Sequence, residues 1–248
     1  MNRTRQVRVG TSGYQYDHWR GVFYPDTLPR EQWLAHYAEH FATVEINNTF
    51  YQLPDAATFR AWRDAVPDGF RFAVKFSRYG SHIKKLKDPH DTIGRFLERT
   101  SLLGNKLGPI LVQLPGKWHV NAERLDAFLE AAPRDQRWTV EFRDASWLCD
   151  EIYQVLQAHQ AALCRHDMLP DHPQRLTTDW TYLRFHGDPH RGRYTPQYLT
   201  AQARQLVASA TNDPDVYAYF NNDKAGHAIE NARQLRRYLA HRDPRLLG

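Results

Sequence analysis

The sequence predicts an α/β fold of the (β/α)₈ TIM-barrel type, formed by a single domain over residues 1–248. Eight short apolar segments have the composition of strands, and helical segments separate almost all of them, which favours parallel pairing. No linker or shift in composition divides the chain. An open doubly wound sheet is the alternative, but its central strands are usually apolar on both faces, whereas these strands alternate.

The predicted strands are rich in β-branched and aromatic residues and are bounded by turn residues. They cover residues 7–12, 43–47, 70–75, 109–113, 138–143, 161–165, 181–186 and 216–221. The predicted helices cover residues 30–41, 55–66, 91–103, 122–131, 150–159, 196–210 and 225–240. Asp55, Asp91 and Asn121 are predicted N-caps, and Pro196 suits a first helical position. Residues 168–178 contain two prolines and little periodicity, which predicts an irregular link.

Polar side chains share one face at the ends of several predicted strands. In the second strand Glu45 and Asn47 point to the side opposite Val44 and Ile46. The same alternation places further residues on the polar face: Lys75, Gln113, Glu141, Arg143, Arg184, His186 and Asn221. If helices cover the apolar face, these side chains lie at the carboxyl-terminal rim of the barrel, where the active sites of such barrels gather.

The charges at this rim favour an anionic ligand. Glu45, Lys75, Glu141, Arg143 and Arg184 carry three positive and two negative charges. Mutual neutralisation in a structural network is the alternative, because buried charges persist mainly by pairing. We expect the three cations to bind a phosphate, sulfate or carboxylate group, with arginine binding two oxygens at once.

Two carboxylates and one histidine are the predicted catalytic groups: Glu45, Glu141 and His186, acting as acid or base. The other predicted ligand-binding residues are Gln113, Asn221, Asn222, Asn47 and Lys85. No metal or cofactor is predicted, because no ligand-spacing motif such as H-E-x-x-H occurs and the rim cations would repel a metal ion. A metal-independent hydrolase or isomerase is therefore the expected enzyme class.

Composition leaves a second kind of partner open. The formal net charge of +5 and the 13% of aromatic residues permit nucleic acid binding, with bases stacked on loop aromatics such as Trp19, Tyr51 and Trp118. Basic residues occur in the third loop, at Lys84 and Lys85, and in the seventh, at His190, Arg191 and Arg193. Two cysteines without a CxxC motif, and no apolar stretch of about 18 residues, predict a cytoplasmic protein without membrane contact. The oligomeric state is not predicted.

Motifs in order along nearly the whole chain resemble the YecE-like family, a large family of unknown function. They are GTSGY at 10–14, VEINNTFY at 44–51, FAVK at 72–75, SHIKKL at 81–86, QLP at 113–115, VEFR at 140–143, RFHG at 184–187 and YFNND at 219–223. Tyr14 stands where the family often has Trp, so an aromatic is retained. The resemblance implies a TIM-type barrel and supplies no reaction.

Three functional hypotheses follow. The first is an enzyme that acts on a phosphorylated sugar or a nucleotide-like anion at the carboxyl-terminal rim. The second is a protein that binds or processes nucleic acid through its basic loops. The third is a barrel that binds a ligand without turnover, since a fold alone does not determine function.

Overall fold

The computed structural model describes residues 6–188, 192–208 and 215–247. In the described residues eight parallel strands follow one another, and helices separate all of them except the sixth and seventh, so the fold class is α/β of the (β/α)₈ TIM-type, as the sequence predicts. Two compact units make up the chain. We call Met1–Val44 with Asp179–Gly248 the terminal unit, and Glu45–Thr178 the central unit. Organisation as a single domain stays a prediction.

The terminal unit is built on three strands with β8 in the middle. Its strands are β1 (Val7–Thr11), β7 (Trp180–Phe185) and β8 (Asp215–Phe220), and its helices are α1 (Trp33–His40), α7 (Pro196–Ala208) and α8 (His227–Arg242). Tyr219 of β8 is in register with Gly10 of β1 and Arg184 of β7. Helix α8 packs on β1 and β8, and α7 packs on α8. The residues that follow these strands therefore emerge at one edge of the sheet.

The central unit contains four parallel strands in sequence order. They are β3 (Arg71–Lys75), β4 (Leu107–Gln113), β5 (Trp138–Glu141) and β6 (Ala162–His166). Its helices are α2 (Asn48–Tyr51), α3 (Ala56–Asp64), α4 (Pro89–Thr100), α5 (Ala122–Ala131) and α6 (Asp150–Ala158). The last two residues of β2 (Thr43–Ile46) also belong to this unit. Gln113 and Glu141 are in register at the carboxyl ends of β4 and β5.

Two of the three predicted N-caps are confirmed. The Asp55 carboxylate accepts the backbone N–H of Thr58 at 2.8 Å, and the Asn121 amide oxygen accepts that of Arg124 at the same distance. The prediction for Asp91 is wrong, because α4 already begins at Pro89. Proline has the φ angle that a first helical position needs, so the helix starts two residues earlier and Asp91 lies in its first turn.

The irregular link before β7 is confirmed, since the described residues 167–179 contain no helix. Short elements escaped the sequence analysis: helix α2 and a π-helical turn at Tyr79–Ile83, both of which follow a strand. Within the described part of the chain, no helix has the length and apolar character needed to cross a bilayer.

Candidate functional site

Buried ionisable side chains lie at the carboxyl ends of the central strands. Lys75 ends β3 and is 9% exposed, and Glu141 ends β5 and has no exposed surface. Gln113 ends β4 beside Glu141 and is half-buried, while Glu45 in β2 is fully buried. The alternation in the sequence therefore identifies polar groups that the fold encloses. Groups of this kind are costly to bury unless they are paired or used.

Glu141 forms an ion pair with Arg143, two residues further on. The Arg143 Nε donates to the Glu141 Oε1, and the Glu141 Oε2 lies 3.8 Å from the Cys164 Sγ. Arg143 Nη1 contacts the sulfur of Met168, and 17% of the Arg143 side chain is exposed. The buried carboxylate thus fixes the orientation of a partly exposed guanidinium group.

Lys75 is positioned against an aromatic ring. Its Nζ lies 4.1 Å from the ring centre of Phe50, a distance at which an ammonium group is attracted to the ring face. Helix α2 carries Phe50, and the hydroxyl of Thr49 in the same helix donates to the Lys75 backbone carbonyl at 2.7 Å. This hydrogen bond fastens α2 to the end of β3, and so it fixes Phe50 beside the lysine.

His82 lies next to this pair, in the π-helical turn that follows β3. Its ring meets that of Phe50 edge to face, with the ring centres 5.0 Å apart. The Ser81 hydroxyl donates to the Ser77 carbonyl at 2.8 Å, and its oxygen lies 3.0 Å from the His82 Nδ1. Because that hydroxyl has one proton and gives it to Ser77, the His82 Nδ1 carries the proton donated to Ser81. The Nε2 of the neutral ring is then an acceptor.

The electrostatic surroundings of His82 are positive. Burial, as the largest cause, and the positive charges of Lys75, Arg78 and Arg143 together lower the pKa of His82 to about 4. The imidazole is therefore neutral at neutral pH. His82 was not among the predicted site residues, although the SHIKKL segment that carries it marked the loop. The π-helical turn that presents its ring has no recognisable sequence signal.

His166 ends β6, and its ring stabilises the local backbone. Its Nε2 lies 2.7 Å from the Phe142 carbonyl, and its Nδ1 accepts the backbone N–H of Met168 at 3.2 Å. Both ring nitrogens are therefore engaged, with the proton on Nε2. Burial is the main cause that lowers the pKa of His166 to about 4.

The terminal unit has its own polar cluster at the end of β7. Arg184 is 2% exposed and donates from Nη2 to the Ser12 hydroxyl at 3.2 Å. Its Nη1 lies 3.4 Å from the His186 Nε2, which accepts because guanidinium has only donors. The structure thus brings two of the predicted residues, Arg184 and His186, into one hydrogen-bonded group.

The two asparagines after β8 have different surroundings. Asn222 is 4% exposed, and its amide donates to the Gly192 carbonyl and to the Asn231 side chain, both at 2.9 Å. The bond to Asn231 ties the end of β8 to α8. Asn221 is half-buried, and its backbone N–H donates to the Phe185 carbonyl at 2.7 Å.

The remaining predicted residues lie in the loops. Asn47 is half-buried and directly precedes α2. Lys85 is exposed, with its Nζ 5.9 Å from the Trp118 ring centre. His190 and Arg191 of the seventh loop lie outside the described residues.

Most loop aromatics stabilise the fold. Trp19 and Trp147 are fully buried, and Trp147 stacks on Phe142 with ring centres 5.1 Å apart. Tyr51 is the contrasting case, since 78% of it is exposed. Its ring meets that of Phe50 edge to face, with the ring centres 5.1 Å apart.

One group of side chains in the described part of the chain has the spacing of metal ligands. His36, Glu39 and His40 of α1 place their ligand atoms within 4.8 Å of one another. None of them is a predicted site residue.

Nearly the whole chain matches a family of unknown function. A family model described as "Protein of unknown function DUF72" matches residues 8–247. The UPF0759 protein YunF of Bacillus subtilis is 26% identical over 267 aligned residues, which cover 92% of this chain and 93% of YunF. The UPF0759 protein YecE of Escherichia coli is 34% identical over 119 residues, covering 44% of this chain and 41% of YecE.

Solved structures give the same result. A DUF72 family protein from Thermotoga maritima is 29% identical and superimposes with a TM-score of 0.82, covering 94% of this chain and 99% of that one. A DUF72 family protein from Enterococcus faecalis, at 24% identity and a TM-score of 0.79, covers 94% and 95%. The similarity extends over both units and names no substrate.

Proposed function

The chain belongs to the YecE-like DUF72 family, and we propose that it is an enzyme acting on a small anionic substrate, either a phosphorylated sugar or a nucleotide-like molecule. The substrate's anionic group binds at the carboxyl ends of the central strands. The reaction is a hydrolysis or an isomerisation that proceeds by proton transfer without a metal ion.

This proposal rests on one observation. The positive charges of Lys75, Arg78 and Arg143 all lower the pKa of His82, whose ring is neutral. Glu141 pairs with Arg143, yet the charge of Arg143 still lowers the pKa of His82 in the same direction as those of Lys75 and Arg78. The electrostatic potential at the ring is therefore positive, and it would attract a phosphate or carboxylate group. Such a potential suits an anionic ligand better than a metal ion or a neutral sugar.

The geometry also gives Arg143 and Lys75 different roles in binding the anion. Glu141 accepts the Nε of Arg143 and so orients the guanidinium group, whose planar fork suits two oxygens of one phosphate group. Lys75, held over the Phe50 ring, acts as a compact point charge. In this proposal Glu141 is a positioning residue for Arg143, a role narrower than the acid or base predicted from the sequence.

His82 is suited to accept a proton from the substrate. Its Nδ1 proton is engaged with Ser81, so the lone pair of the neutral ring is on Nε2. A pKa of about 4 makes the free ring a weak base. A bound anion offsets the cations and raises that pKa, so the ring becomes a stronger base when substrate is present. Fully buried Glu45 remains a second proposed acid or base. The acid or base role predicted for His186, in the terminal unit, stays a separate prediction.

Binding of simple anions tests the first step. Calorimetric titration with inorganic phosphate, ribose 5-phosphate and adenosine monophosphate should show one site per chain. Lys75→Met and Arg143→Met should each weaken binding at least about tenfold, since each removes a charged hydrogen-bond partner. Arg175→Met is the matched control, because Arg175 is exposed and paired with Asp150 in the same unit. Equal affinities in all four proteins would contradict the proposal.

Turnover tests the second step. A panel of phosphorylated sugars and nucleotides is incubated with the wild type and with His82→Asn, and consumption is followed by mass spectrometry. A substrate that the wild type converts and His82→Asn binds but does not convert supports the proposed role. Anion binding without conversion of any panel member would favour a binding protein without turnover.

Salt dependence separates nucleic acid from a small anion. A single-stranded oligonucleotide that binds more tightly than the monophosphates, with affinity falling steeply as salt increases, would favour a nucleic acid partner. That affinity should then depend on Lys84 and Lys85.

A further inference from the structure

The exposed side of α1 carries a set of side chains that the proposed function does not use. His36, Glu39 and His40 are spaced at i, i+3 and i+4, and so they lie on one face of the helix. Their ligand atoms all lie within 4.8 Å of one another. Two imidazoles and one carboxylate form a donor set that suits Zn²⁺.

The ring of His36 is already oriented for a metal ion. Its Nε2 lies 3.2 Å from the backbone carbonyl of Phe23, so the neutral ring donates Nε2–H to that oxygen. The lone pair is then on Nδ1, which lies 3.7 Å from the Glu39 Oε2. This distance is close to that between two ligand atoms of one tetrahedral Zn²⁺ ion, whose bonds to nitrogen and oxygen are each about 2 Å long. A ring N–H fixed by a carbonyl is the usual arrangement behind a metal-bound histidine.

The ring of His40 completes the group. It lies 5.0 Å from the His36 ring, and both rings meet Phe23 edge to face with ring centres 5.3 Å apart. Packing on one aromatic ring restricts both imidazoles before any ion arrives.

Two nearby arginines disfavour the binding of a cation to these three side chains. Arg233 and Arg236 of α8 both act on His40, and their guanidinium carbons lie 4.9 Å from the Phe23 ring centre and 5.5 Å from that of Phe41. Their charges lower the affinity for a divalent ion. The carboxylate of Glu39 offsets one of them.

We propose that His36, Glu39 and His40 bind one Zn²⁺ ion, with water completing a tetrahedral coordination. The site belongs to the terminal unit and is independent of the proposed anion site. Its three protein ligands and open fourth position distinguish it from closed structural zinc sites, which have four protein ligands.

Titration with Zn²⁺ followed by calorimetry tests this site, with Co²⁺ as a spectroscopic probe of tetrahedral coordination. The untagged wild type should bind one Zn²⁺ ion per chain, with higher affinity than any additional ions. His36→Gln and His40→Gln should each weaken binding at least about tenfold, as even changes behind a ligand do. His119→Gln is the matched control, because its side chain is 86% exposed and belongs to the central unit.

Arg233→Gln provides a second test, in which Zn²⁺ affinity should change in the opposite direction. Removal of its positive charge should tighten Zn²⁺ binding several-fold, whereas a merely structural role for the histidines predicts no change. Thermal unfolding without metal establishes that each variant is folded. One-to-one binding that survives both His36→Gln and His40→Gln, or no binding above the control level, would overturn the proposal.

Discussion

The pKa of His82 provides a quantitative test of the electrostatics at the central strand ends. Lys75 Nζ lies 4.1 Å from the Phe50 ring centre, and that centre lies 5.0 Å from the His82 ring centre. The ammonium nitrogen is therefore within about 9 Å of the His82 ring. A unit charge at ~9 Å with an effective dielectric constant of about 40 contributes roughly 1 kcal/mol. This corresponds to between about half a pKa unit and one unit.

Lys75→Met should accordingly raise the pKa of His82 from about 4 by up to roughly one unit. Two-dimensional NMR of the imidazole resonances across a pH titration measures this shift, with His82→Asn to assign the signal. Lys87→Met is the control, because this exposed lysine of the same loop is not among the charges that lower the pKa of His82. A wild-type pKa near the usual value of about 6.5, or no shift in Lys75→Met, would refute the reasoning.

Three further predictions concern stability. A Cβ at Gly10 would lie 2.2 Å from the Thr43 backbone oxygen, so Gly10→Ala should lower the free energy of unfolding by more than about 2 kcal/mol. Gly94→Ala, which has open space in α4, should raise it by up to ~1 kcal/mol in urea unfolding. His166 has a folded pKa of about 4, below its unfolded value, so its contribution to stability is present above about pH 6.5 and is lost as pH falls towards 4. His166→Gln should reduce the loss between pH 7 and 4, and an unchanged pH profile would contradict this.

The sequence predicts the fold well because strand and helix periods are strong local signals. Every predicted strand is present to within a few residues, and helix α5 has the predicted bounds of 122–131. Asp91 was misplaced because a proline two residues earlier starts the helix, and capping preferences alone do not rank competing starts.

The site was predictable in part. Alternation along the strands identified Lys75 and Glu141 as enclosed groups, because side-chain direction follows directly from strand geometry. His82 was not recognised, since a π-helical turn and the Phe50 ring position it. Such placement depends on residues distant in sequence, such as the Thr49 hydroxyl on the Lys75 carbonyl, and no local pattern encodes it.

The central claim is that Lys75, Arg78 and Arg143 bind an anion beside His82, and the location of a bound oxyanion tests it most directly. Crystals grown with selenate, whose selenium scatters anomalously, would reveal the position of a tetrahedral dianion. The account predicts a selenate ion within hydrogen-bond distance of the Lys75 Nζ and the Arg143 guanidinium group. Selenate bound at other surfaces with none beside these side chains would contradict it.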